Sequence, residues 1–246
     1  MNEKISVCIA TFNGEKYIYQ QLESILCQLK IGDEIIISDD SSTDHTLEII
    51  RSFNDKRIIV LEKQVFKNPI FNFENAINNA TGSIIFLSDQ DDVWLEGKVS
   101  TMMDALQDHD LVVSNAIIGD SNLKVVKDSY FEWRNSRSGL FKNFMKNSYL
   151  GCCMAFRREI LAVILPFPKK IPMHDMWIGI MAELYFKPIF INNRLIIYRR
   201  HNSNTTVLSE DFTSNESLMT KVKFRIDLLI EVVNRSVKKT LTRFEG

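Results

Sequence analysis

Between Ile5 and Ser88 short apolar runs alternate with stretches whose apolar residues fall at helical spacing, and each apolar run ends on polar turn residues. Ile5 to Ala10 reads as a buried strand, followed by the turn Thr11-Phe12-Asn13-Gly14. Ile18, Leu22, Ile25 and Leu29 then mark one face of a helix that Gly32-Asp33 breaks. Glu34 to Ser38 is the next apolar run, ending at Asp39-Asp40-Ser41-Ser42-Thr43-Asp44, where Asp44 can cap a helix carrying Leu47, Ile50 and Phe53. Arg57 to Leu61 reads as a third strand, Phe73 to Ala80 as a helix stopped by Thr81-Gly82, and Ile84 to Ser88 as a fourth strand. Strands that alternate with helices pair in parallel through crossovers, so this pattern predicts an α/β fold: a single Rossmann-like, doubly wound, mostly parallel sheet with flanking helices.

The second half is less regular. Lys98 to Gln107 reads as a helix and Leu111 to Ser114 as a short strand, while Asp120 to Asn147 is polar and aromatic and takes no assignment. Arg157 to Leu165 reads as a helix, and Pro166, Pro168 and Pro172 interrupt the chain before His174-Asp175-Met176-Trp177. Ile178 to Leu184 continues as a helix, and Pro188 to Tyr198 is a strand ending at Arg199-Arg200-His201-Asn202. Near the C-terminus, Val222, Ile226, Leu229, Val233 and Val237 form an apolar stripe with mostly basic flanks. Such a helix packs on its own domain, on a second subunit, or on an anionic membrane.

Of the 246 residues 45% are hydrophobic, enough for a packed core, and the formal charge of -1 lacks the basic surplus that nucleic-acid binding needs. Cys8, Cys27, Cys152 and Cys153 form neither a C-x-x-C pair nor a disulfide framework, and the vicinal pair reads as small packing residues. No signal-peptide pattern follows Met1, and no run reaches the roughly 18 apolar residues of a membrane span, so a cytoplasmic protein, at most peripheral to the membrane, is expected. The sequon at Asn204 is discounted for the same reason.

Chemistry gathers where the strands end, which is where ligands bind in open α/β sheets. Thr11-Phe12-Asn13 offers a stacking ring and an amide, and Asp39-Asp40 offers carboxylates for a nucleobase N–H or ribose hydroxyls. Asp89-Gln90-Asp91-Asp92 crowds three carboxylates, hard ligands suited to Mg²⁺ or Mn²⁺ against a diphosphate. A solvated acidic turn is the plainer reading of that segment alone. Neither a G-x-x-x-x-G-K-[ST] loop nor G-x-G-x-x-G follows the first strand, so a metal is expected to carry the phosphate charge.

Ser6 to Gly14, Ser38 to Asp44 and Asp89-Gln90-Asp91-Asp92, in this order, resemble the opening strand, base-binding loop and D-x-D metal motif of the family 2 inverting glycosyltransferases, which have the GT-A fold. Gly151 to Glu159, His174 to Trp177 and Tyr198 to Asn202 resemble the bacterial cell-surface polysaccharide branch, including rhamnosyltransferases. The resemblance implies a GT-A domain over residues 1–206, with a nucleotide-binding half at 1–118 and an acceptor-binding half at 119–206, and a helical extension at 207–246. It implies transfer from a UDP- or dTDP-sugar donor to a glycan or lipid-linked acceptor. Nucleotide contacts fall to Thr11, Phe12, Asn13, Asp39, Asp40 and Asp89. Metal ligation falls to Asp91, Asp89 and His201, with Arg199 and Arg200 as added anion contacts, and Asp92 supports the loop. Asp175 is the general base, in a position where the family's pair is Glu-Asp and this chain has His174-Asp175. Donor or acceptor sugar contacts fall to Gly151, Cys152, His174 and Trp177; for Trp177, as for Trp94, the competing reading is a core anchor. The rival functions are a sugar nucleotidyltransferase, which lacks its basic glycine-rich loop here, and a silent sugar-binding protein, which would have lost Asp91 or Asp175.

Overall fold

A computed structural model describes residues 3–201 and 218–244. Its first half follows the alternation: β1 (Ile5–Thr11), α1 (Ile18–Leu26), β2 (Glu34–Asp39), α2 (Thr46–Ser52), β3 (Ile58–Leu61), α3 (Pro69–Asn79) and β4 (Ile84–Ser88). The chain continues through β5 (Val93–Trp94), α4 (Lys98–Ala105), β6 (Leu111–Gly119), β7 (Val125–Lys127), α5 (Tyr130–Arg134) and α6 (Leu140–Met145). It closes with β8 (Met154–Arg157), α7 (Leu161–Ile164), α8 (His174–Tyr185), β9 (Pro188–Arg199) and α9 (Leu218–Phe244). These strands form one sheet in the order β3-β2-β1-β4-β8-β6-β9-β5, with β7 paired to β6.

β3, β2, β1 and β4 run parallel. Helices cover both faces, which is why Val7-Cys8-Ile9, Ile35-Ile36-Ile37 and Ile84 to Leu87 are buried without alternation. α1 turns Ile18, Leu22 and Ile25 to this sheet, and α3 starts on an Asn68 cap that accepts from the Ile70 N–H, with Pro69 in its first turn. Asp44 accepts from the N–H of Thr46 at 3.0 Å, fixing the start of α2.

The second half departs from the sequence reading in two places. Arg157 to Leu165 is not one helix: β8 ends there, a 3-10 turn spans Arg158–Ile160, and α7 is a single turn. β8 lies antiparallel between β4 and β6, and a four-residue apolar run is too short to display either period. β6 extends to Gly119 because its polar centre is satisfied inside the fold: the Asn115 side chain donates to Ser129 Oγ at 2.9 Å and accepts from the Phe131 N–H at 3.0 Å. These bonds tie the polar, aromatic segment after β7 to the sheet.

Glu34, buried at the start of β2, joins three segments by accepting from Lys4 Nζ (2.7 Å), Ser6 Oγ (2.6 Å) and the Thr81 N–H (2.6 Å). Burial pushes its carboxyl up, but the donors of Lys4, Ser6 and Thr81 outweigh that and hold it at about 2. Its stabilisation is therefore full above the ordinary carboxylate value and fades as pH falls toward 2. Glu34→Gln should cost about 2–3 kcal/mol at neutral pH, and less in acid, as read from urea unfolding at both pH values.

Candidate active site

β1 lies between β2 and β4, so the connections leave the sheet in opposite directions from its carboxyl end and open a crevice there. A cleft of about 610 Å³ occupies it. Thr11, Phe12 and Asp40 line one side, Asp89, Gln90 and Asp91 its floor, and Gly151, His174 and Asp175 the far side.

Phe12 exposes 55% of its surface, yet its backbone is clamped: its N–H donates to Gln90 Oε1 (2.9 Å) and its carbonyl accepts from Gln90 Nε2 (3.0 Å). The amide of the acidic loop thus holds an aromatic face open to the cleft, and a side chain at Gly14 would collide with Gln90 and break the clamp. Asn13, at φ 49°, braces the neighbouring loop by accepting from the Thr43 N–H at 2.9 Å. Asp40 lines the cleft while accepting from the Phe66 N–H at 2.5 Å. Asp39 does not reach it: it is fully buried and accepts from Thr11 Oγ1 (2.9 Å), Ser42 Oγ (2.6 Å) and the Ser42 N–H (2.9 Å), so it shapes the loop instead of meeting a nucleotide.

The acidic loop is anchored by Arg199. Its N–H donates to Asp92 Oδ1 (2.9 Å), its Nε to the Asp91 carbonyl (2.6 Å), and its other nitrogens to Gln20 Oε1 (2.6 Å) and the Ser121 carbonyl (2.8 Å). Buried and so engaged, Arg199 is a strut and not the anion contact expected of it. Arg200 donates its backbone N–H to the Gly119 carbonyl. Asp92 is fully buried, whereas Asp91 faces the cleft with Oδ2 2.8 Å from His201 Nε2, whose ring stacks on Tyr17 at 4.7 Å. Burial, and then the charges of Asp91 and Asp175, push the Asp89 carboxyl up to about 7; burial and Asp91 push Asp92 up as well. This surplus of negative charge, with Asp91 at the cleft and the His201 nitrogen beside its carboxylate, fits a divalent cation. Cys152 is buried behind the loop, its sulfur within 4.8 Å of the Asp89 and Asp92 oxygens and its carbonyl accepting from Lys98 Nζ at 2.6 Å, so it packs and does not contact a sugar.

His174 and Asp175 open α8. Asp175 Oδ1 accepts from the Met176 N–H (2.5 Å) and Asn147 Nδ2 (3.2 Å), and burial outweighs these donors to raise its carboxyl to about 6. It is therefore a stronger base than an ordinary carboxylate near 4. The His174 ring stacks on Phe73 at 4.2 Å, and neither of its nitrogens has a hydrogen-bond partner among the described residues. Burial pulls its pKa down to about 3, so the imidazole is neutral. Gly151 leaves it room, since a Cβ there would stand 2.9 Å from His174 Nε2. Trp177 is fully buried with Nε1 donating to the Ile164 carbonyl at 2.9 Å, and Trp94 is buried too; both anchor the core and neither is a sugar platform.

Gln90, Phe73 and Asn147 have no counterpart among the expected site residues. Gln90 stands inside the acidic motif, where the carboxylates draw the eye, and Asn147 lies in the stretch that has no periodicity.

The profile of "Glycosyl transferase family 2" matches residues 6–165. WfaP of Escherichia coli, a UDP-Glc:alpha-D-GlcNAc-diphosphoundecaprenol beta-1,3-glucosyltransferase, is 36% identical over 51% of this chain and 48% of its own length. The dTDP-rhamnosyl transferase RfbG of Shigella flexneri is 29% identical over 80% of this chain and 72% of its own. Among solved structures, the mannosyltransferase PcManGT of Pyrobaculum calidifontis, in complex with GDP-Man and Mn²⁺, superposes with a TM-score of 0.63 at 17% identity, covering 97% of this chain and 65% of that one. The profile spans the loops after β1 and β2 and the acidic loop that meet at this cleft, and on that ground the chain belongs to glycosyl transferase family 2 and is a glycosyltransferase.

Proposed function

We propose that the enzyme moves a sugar from a UDP- or dTDP-sugar to a hydroxyl of a glycan or lipid-linked acceptor, with inversion, in the cytoplasm during cell-surface polysaccharide synthesis. The observation that carries this reading is the union, in one cleft, of an exposed clamped ring (Phe12), a carboxylate with an imidazole 2.8 Å behind it (Asp91, beside His201) and a buried carboxylate raised to about 6 (Asp175).

Phe12 stacks on the base and Asp40 accepts from its N–H, which places the diphosphate over the acidic loop. Asp91 and His201, with Asp89 beside them, would hold Mg²⁺ or Mn²⁺, whose positive charge offsets that of the departing nucleoside diphosphate. Asp175 takes the proton of the acceptor hydroxyl as that oxygen attacks the anomeric carbon opposite the leaving group, so configuration inverts without a covalent enzyme intermediate. His174, neutral, has one nitrogen to donate to and one to accept from sugar hydroxyls. The names of WfaP and RfbG support the donor classes, and that of WfaP supports a diphosphoundecaprenol-linked acceptor. No helix among the described residues is long and apolar enough to cross a membrane.

A nucleoside-diphosphate release assay over a panel of UDP- and dTDP-sugars, with and without Mn²⁺ or Mg²⁺, tests the reading. Release should be confined to few donors and require the metal. Phe12→Ala should raise the donor KM about tenfold or more at little cost in kcat, the loss expected of one stacked base. Equal, metal-independent release from every donor, or a Phe12→Ala enzyme with an unchanged KM, contradicts it.

A further inference from the structure

α9 packs the wrong way round for an ordinary surface helix. Its two arginines and Lys239 reach the domain: Arg235 donates to the carbonyls of Val163 (2.9 Å), Leu165 (2.5 Å) and Pro166 (2.5 Å), oxygens that the end of α7 leaves without helical partners. Arg225 donates to the Met145 carbonyl at the end of α6 (2.6 Å), and the Lys239 ammonium lies 4.0 Å over the Tyr185 ring at the end of α8. Leu228 is fully buried on this side. Turned outward are Val222, Ile226, Leu229, Ile230, Val233 and Val237, each 47–53% exposed. They recur every three or four residues, which makes one continuous apolar stripe along the helix. On α6, tied to α9 by Arg225, Phe141 is 80% and Met145 46% exposed.

A patch of this size, rimmed by charge, marks an interaction surface. Charge selects the occupant. Between residues 222 and 239, Arg225 and Arg235 are held against the domain and Asp227 and Glu231 are half-buried, so the exposed charges of the helix, Lys223, Lys238 and Lys239, are all positive, although the chain as a whole is at -1. A second copy would set this basic segment against its own like, whereas anionic headgroups bring the opposite sign to lysines whose alkyl stems run beside the apolar stripe. We propose that the outward face of α9, extended by Phe141 of α6, docks the protein in the interface of an anionic membrane. The apolar stripe enters the acyl boundary and the bordering lysines meet lipid phosphates. The chain passes from α6 to Asn147, which holds Asp175, so the docked face leads toward the acceptor side of the cleft.

The test is co-sedimentation of the whole chain with vesicles of phosphatidylcholine alone and of phosphatidylcholine with phosphatidylglycerol, at low and raised salt. The protein should pellet with the phosphatidylglycerol vesicles, less so in salt, and Ile226→Asp with Val233→Asp should weaken that binding about tenfold or more while the melting temperature is unchanged. No pelleting at low salt overturns the proposal, as does pelleting that the double substitution leaves intact. A dimer by light scattering that the double substitution splits, with no lipid binding, assigns the face to a second copy instead. Docking needs neither donor nor acceptor, so its failure with sugar transfer intact leaves the catalytic reading standing, and the reverse result separates them equally well.

Discussion

Asp175→Asn should slow transfer by about 10²- to 10⁴-fold, the usual worth of a positioned general base, while the enzyme still binds nucleoside diphosphate as tightly as before. The substitution is close to isosteric and keeps an oxygen to accept from Asn147 and the Met176 N–H, so α8 should begin as it does now. What disappears is the capacity to take a proton. The pH dependence makes the assignment specific. Burial raises the Asp175 carboxyl to about 6, so the base is ionised above that value and protonated below it. The wild-type kcat/KM should therefore climb with pH and level off above about 6, later than an exposed carboxylate near 4 would allow. In Asp175→Asn that acid limb should vanish along with the rate. A variant that keeps the limb places the ionisation elsewhere, and one that keeps the rate removes Asp175 from the chemistry.

The half of the fold from β1 to β4 was plain in the chain because parallel strands covered on both faces have to be continuous apolar runs, and helices between them have to repeat at three and four. β6 and β8 hid for opposite reasons. The first carries Ser114 and Asn115 into the interior, where hydrogen bonds to Ser129 and Phe131 make a polar residue compatible with a strand, and those partners lie more than a dozen residues away in sequence. The second is too short to repeat anything. At the cleft, strand ends announced the chemistry but not the direction of each side chain. Asp39 and Asp40 are neighbours at the end of an extended strand and so point to opposite sides, one into its own loop and one into the cleft; the residue types are the same and only the pleat distinguishes them. Trp177 carried a signal that geometry alone supplies, since it lies about 200° around the helix from Asp175, and a carboxylate that faces the cleft turns that indole into the core. No such signal existed for Gln90, because its role depends on the loop after β1 arriving beside the loop after β4.

Asp91→Asn should reduce metal-stimulated transfer by about 10²- to 10³-fold, the cost of losing one well-placed electrostatic contact to a leaving group. The argument begins from repulsion. Asp89, Asp91 and Asp92 come from one short loop, and the charge of Asp91 is the second cause, after burial, that pushes both neighbours up. Lys98 lies beneath them, but its ammonium is already engaged with the Cys152 carbonyl. A cation at the cleft relieves this crowding, and Asp91, paired with His201, is the member of the loop best placed to meet it. Replacing its charge should therefore have two separable consequences. Mn²⁺ together with a nucleoside diphosphate should raise the melting temperature of the native enzyme, through ligand linkage, and that rise should be lost in the variant. Without metal, the variant should melt no lower than the native protein, because one of three crowded carboxylates has become neutral and Arg199 still anchors the loop through the Asp91 and Asp92 backbone and side-chain oxygens. A variant that retains the Mn²⁺-dependent rise would show that the ion sits on other ligands, and a large loss of metal-free stability would mean that Asp91 is held for the fold and its pairing with His201 is structural.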